Sequence, residues 1–137
     1  MVPLALLLLS LLVFGGGCSC TKEGPGEEFL ESEDLQLVVD GKVIMTYDPL
    51  TCQLAYNHDR KIFRVHNDDM SSFYQLTCNT LPYSQGQEIK ASLRWASGTS
   101  LSNRQDLTFR VEKVTEEGRF WLWCPTRKIA VSVQMFL

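Results

Sequence analysis

Between Ile89 and Trp95 the chain alternates without a fault. Ile89, Ala91, Leu93 and Trp95 fall on one side, and Lys90, Ser92 and Arg94 on the other. A helix repeats every 3.6 residues and would spread those four apolar side chains around its axis. A pleated strand repeats every two residues and gathers them on one face. The same period returns in Leu107, Phe109 and Val111, and again in Ile129, Val131, Val133 and Met135. A chain patterned in this way buries one face of a sheet and wets the other, which points to antiparallel pairing.

Turn residues recur about every ten positions after Asp34, as in an all-β sandwich or barrel. Leu35–Val39 and Lys42–Thr46 flank Asp40-Gly41, a pair suited to a two-residue hairpin turn. Thr51–Asn57 and Lys61–Asn67 read as a second hairpin around His58-Asp59-Arg60. Asp68-Asp69-Met70 leads into Ser71–Cys78, and Asn79–Gly86 into the faultless stretch. Gly98–Asp106 reads as a polar loop, followed by strands at Leu107–Thr115, Arg119–Cys124 and Lys128–Phe136. The expected fold is an all-β antiparallel β-sandwich of about seven to eight short strands, with a small closed β-barrel as the alternative. The strands are too short for an outer-membrane barrel, whose strands run to about 9–11 residues.

The first third of the charge pattern divides the chain. Residues Thr21 to Asp34 hold six acids (Glu23, Glu27, Glu28, Glu31, Glu33, Asp34) against Lys22 alone, although the whole chain carries only −3. From Leu35 onward ten acids face twelve bases, so the remainder is nearly neutral. No stretch has the basic density of a nucleic-acid binder. Gly24-Pro25-Gly26 interrupts helix and strand alike. Residues 18–34 are therefore expected to be an acidic flexible tether, and residues 35–137 a single β-sandwich domain, which is enough chain for one core.

Ahead of that segment lies Pro3 to Phe14, PLALLLLSLLVF, then Gly15-Gly16-Gly17 and Cys18-Ser19-Cys20. The apolar run is too short to span a bilayer, which takes about 20 residues. It has the dimensions of a secretory signal's apolar core, followed by the small residues a peptidase needs. Met1-Val2-Pro3 lacks the Lys or Arg with which such signals begin. A cysteine just past small residues resembles the lipobox of bacterial lipoproteins. Ser19-Cys20-Thr21-Lys22-Glu23 is likewise similar to the start of small Gram-negative lipoproteins. The resemblance covers only residues 1 to about 34. It implies that residues 1–17 are a signal peptide and that Cys18, with Cys20 as the alternative, is acylated. It also implies a protein anchored through that lipid to the cell envelope, with the outer membrane as its expected home.

Beyond the leader, few residues form a chemical pattern. Cys52 and His66 are the one thiol–imidazole pair near each other in the expected hairpin. Pleat parity puts them on opposite faces, and His58 falls at the hairpin tip. His66, Asn67, Asp68 and Asp69 cluster in sequence, but Asn and Asp in a turn bond their own backbone. No second group has ligand spacing, and no metal or other cofactor is expected. Cys52, Cys78 and Cys124 could form disulfides after export, yet in a plain meander Cys52 and Cys78 lie at opposite ends.

Trp121 and Trp123 share one face of their strand, with Trp95 elsewhere. A row of indoles can stack on sugar rings. Phe120, Leu122 and Cys124 make the other face apolar too, however, and a strand apolar on both sides belongs in mid-sheet under a cover. Arg94, Arg110, Arg119 and Arg127 could edge a binding face or simply solvate one. The reading that follows is a lipid-anchored, non-catalytic binding or accessory module of the envelope, with an envelope protein or a glycan as its partner. The alternatives are a carbohydrate-binding module using Trp121, Trp123 and Trp95, and an envelope enzyme or protease inhibitor.

Overall fold

The computed structural model describes residues 24–98 and 102–135. The leader, Cys18 and Cys20 lie outside the described residues. A short helix, α1 (Glu27–Glu31), precedes nine strands: β1 (Gln36–Val39), β2 (Lys42–Thr46), β3 (Cys52–Asn57), β4 (Ile62–Asn67), β5 (Phe73–Cys78), β6 (Glu88–Ala96), β7 (Asn103–Val114), β8 (Arg119–Cys124) and β9 (Ile129–Gln134). The antiparallel all-β fold expected from the alternation is present.

Its strands form one sheet in the order β2-β1-β9-β8-β7-β6-β5-β4-β3, every pair antiparallel. The core is enclosed by that single sheet curling over itself into a half-barrel, where two stacked sheets had been expected. Tyr74 on β5 shows the curl directly. It is fully buried, and its hydroxyl donates a 2.9 Å hydrogen bond to the Ser132 carbonyl on β9. Three strands, β6, β7 and β8, separate the two within the sheet, so that bond crosses the interior. The twist that every sheet carries brings the two strands together.

Alternation of direction along the sheet explains why the ring stays open. Nine strands joined by eight antiparallel pairings leave the edge strands β2 and β3 running in the same sense. Closing them would require a parallel pair, whose crossover takes a dozen or more residues, and only Tyr47–Thr51 connects them. The interior is lined by Phe63, Leu76, Ile89, Leu93, Phe109, Leu122 and Val131, each at most 2% exposed. Trp95 belongs to this core, facing inward as the alternation at Ile89–Trp95 requires.

The Asp40-Gly41 turn forms as its residues predict, with φ of 53° and 80°. Strand β7 starts at Asn103, inside the stretch read as a polar loop. Asn103 to Asp106 pair with Trp95 to Ser92 on β6. Backbone bonds to a long neighbour extend the strand where composition gave no hint of one.

Candidate functional site

Two surfaces carry the residues that sequence reasoning singled out: the outer face of β8, and the outer face of β4 to β7. On β8, Trp121 and Trp123 do form a row, and the row is covered. Phe29 of α1 forms one buried cluster with both indoles and Ala130, in which Trp121 is 3% and Trp123 8% exposed. Stacking on a sugar needs an open ring face, and neither indole presents one.

From Gly24 onward the expected tether is therefore part of the folded body. Phe29 and Leu30 are an apolar pair set among acids, and burying them ties the segment down as a strap. Two bases clasp it. Lys113 lies with Nζ 4.6 Å from the Trp121 ring centroid and donates a 2.7 Å hydrogen bond to the Leu30 carbonyl at the end of α1. A cation over an indole face and on a helix C-terminus is favourable on both counts. Arg119 donates from Nη1 to the Glu33 carbonyl and from Nε to Gln134 Oε1, the latter at 3.2 Å. Further along, the Gln36 N–H donates to the buried Ser132 hydroxyl at 2.8 Å. The cleft of about 550 Å³ beside the strap is lined by these same bases with Glu31, Glu33 and Glu117. Lys113 and Arg119 already have their partners there.

Register separates the other candidate pairs. Gln53 opposes His66, and Cys52 opposes Asn67. Cys52 packs against the core while His66 turns outward, with its Nδ1 3.0 Å from the Asn67 carbonyl. His58 Nδ1 lies 2.9 Å from the Tyr56 hydroxyl. Asp69 accepts the Ser71 N–H at 3.0 Å, which holds its carboxyl below the usual carboxylate value, and Asn67 bonds both Ser71 and Ser72. This turn bonds itself in the way its Asn and Asp residues favour. Among the described residues, no group of three His, Cys, Asp or Glu is placed to hold a metal ion. Cys52, Cys78 and Cys124 are free thiols, and burial pushes the Cys78 thiol up to about 12.

The arginines divide. Arg110 bonds Glu112, Arg119 holds the strap, and Arg127 sits in the β8–β9 turn. Arg94 belongs to a line that no linear spacing reveals. Reading across the strands, Arg64 on β4 opposes Gln75 on β5, Gln75 opposes Arg94 on β6, and Arg94 opposes Arg104 on β7. The line spans three strand spacings, about 14 Å. Like charges directly opposite one another destabilise a sheet, and Arg94 and Arg104 are such a pair.

The side chains of that pair splay apart. Arg104 Nε donates to Ser92 Oγ at 3.2 Å, while the Arg94 guanidinium swings the other way, 5.8 Å from the Phe73 ring centroid. Arg64 keeps a buried Nε without a partner. Among the described residues none of the three makes an ion pair; the acid in the next row, Asp106, lies opposite Ser92. Arg64 and Arg104 were not foreseen, because strand register brings them to Arg94. Compared with family models, with curated proteins and with solved structures, the chain has no significant match.

Proposed function

We propose that this chain is a lipid-anchored, non-catalytic binding or accessory module of the bacterial envelope. The observation that carries the reading is a fold that holds three guanidinium groups in line across its outer face, none of them ion-paired among the described residues. Such an arrangement costs stability, and a ligand with negative charge recovers that cost. The anchoring half of the proposal rests on the apolar leader and on Cys18 or Cys20.

The docked strap gives the anchor a consequence. At about 3.5 Å per residue, the chain from Cys18 to Gly24 reaches no further than about 20 Å, and from Cys20 about 14 Å. A body joined this closely to an acylated cysteine stays beside the membrane surface.

Metabolic labelling with a fatty acid tests the anchor. Label is expected in the full chain and in Cys20→Ala, and is expected to vanish in Cys18→Ala. Loss in Cys20→Ala instead would move the lipid by two residues. An unlabelled wild type recovered outside the membrane fraction would end the lipoprotein reading.

A further inference from the structure

We infer that the line of Arg64, Gln75, Arg94 and Arg104 is a binding site for an extended anionic glycan, a sugar polymer bearing a carboxylate along its repeat. This names the ligand class of the binding module proposed above, and its test does not depend on the lipid anchor.

Four observations converge on that ligand. First, the cations lie in a row rather than in a pocket, and a row about 14 Å long matches a linear polymer better than a single small anion. Second, the groups are guanidiniums, whose planar fork pairs with a carboxylate through two parallel hydrogen bonds. Third, the polar groups that meet the guanidiniums are neutral, the Gln75 amide between Arg64 and Arg94 and the Ser92 hydroxyl that Arg104 bonds, while the carboxylate of Asp106 stands one row away and pairs with none of the three. Amides and hydroxyls complement the hydroxyls of a sugar.

Fourth, each of β4, β5, β6 and β7 is hydrogen-bonded to a strand on both sides. A peptide that joins a sheet does so by adding to an open edge, and this line has none. The divergence of Arg94 and Arg104 is what mutual repulsion produces in the free protein. A carboxylate lying between them would draw the two guanidiniums back toward one another.

The test is affinity electrophoresis of the full chain, in neutral detergent, through gels containing polygalacturonate, neutral dextran or polyglutamate. Retardation is expected in polygalacturonate alone. It is expected to fade as salt rises toward 1 M, where the screening length falls to about 3 Å. The triple variant Arg64→Gln/Arg94→Gln/Arg104→Gln should bind about tenfold more weakly or worse, since it removes all the charge-assisted hydrogen bonds the line can make.

Arg94→Lys keeps the charge, loses the fork and should retain only part of the affinity. Arg127→Gln, away from the line, should bind as the wild type does. The triple variant should melt no lower than the wild type, because it removes a repulsion. Equal retardation in polyglutamate would show that the site reads charge without sugar and would overturn the assignment. So would retardation in dextran, unchanged binding by the triple variant, or no retardation of the wild type in any gel.

Discussion

Phe29 decides the character of the β8 outer face. It is 5% exposed and clusters with both indoles, so truncating it opens that cluster and leaves a cavity. Phe29→Ala should cost about 3 kcal/mol, the lower end for a buried phenylalanine, and a denaturant titration will measure it. An effect within about 0.5 kcal/mol would show that the strap is not seated.

Cys78 offers a second residue-level test. Burial raises its thiol pKa to about 12, so the folded protein holds the proton that an unfolded chain releases near the ordinary thiol value. Its contribution to stability is thus complete below that value and declines as pH rises from there toward about 12. In the native protein at mildly alkaline pH, Cys78 and the fully buried Cys124 should react with iodoacetamide far more slowly than half-buried Cys52. Equal rates at all three would contradict the placement of the sheet's inner face.

At the scale of the elements, the strands were legible where side chains alternate and obscure where the backbone decides. Lys42–Thr46 and Arg119–Cys124 were marked to the residue by their turns. The start of β7 was not, because Asn103 to Asp106 are strand only through pairing with β6. Helix α1 was hidden for a different reason. Its sequence is EEFLE after Gly26, and five residues have too little helical cooperativity to form alone. Packing of Phe29 on Trp121 and Trp123 makes it helical, and the one sign available was an apolar pair inside an acidic run.

The turns also depend on backbone shape. Gly118 joins β7 to β8 at φ 90°, and a Cβ there would stand 2.9 Å from the Met135 carbonyl oxygen, whose residue also donates its N–H to Gly118. Gly118→Ala therefore meets both strain and a clash. A loss of about 1–3 kcal/mol is expected, read as a lower thermal midpoint with the sheet's circular dichroism retained below it. An unchanged midpoint would mean that the turn relaxes freely.

The shape of the whole molecule was the least legible. Alternation says that each strand has an inside, but says nothing of whether the insides meet across two sheets or within one curled sheet. The answer lies in long-range register: β1 pairing with β9, and β2 and β3 left unjoined. The same property concealed the arginine line, since Arg64, Arg94 and Arg104 are remote in sequence and meet only through pairing. Tyr74 bridges the curled sheet from β5 to β9, and Tyr74→Phe should cost about 1 kcal/mol for the lost bond to Ser132, read by denaturant titration.

The outer face of the sheet thus has two parts, a covered indole row on β8 and a cationic line on β4 to β7. Quenching of indole emission by acrylamide tests that division most directly, because the chain's three tryptophans, Trp95, Trp121 and Trp123, are at most 8% exposed. The account predicts weak quenching in the wild type, stronger quenching in Phe29→Ala, and emission unmoved by neutral oligosaccharides. Wild-type quenching equal to that of free tryptophan, with an emission shift on adding a neutral sugar, would show an open indole platform and contradict the account.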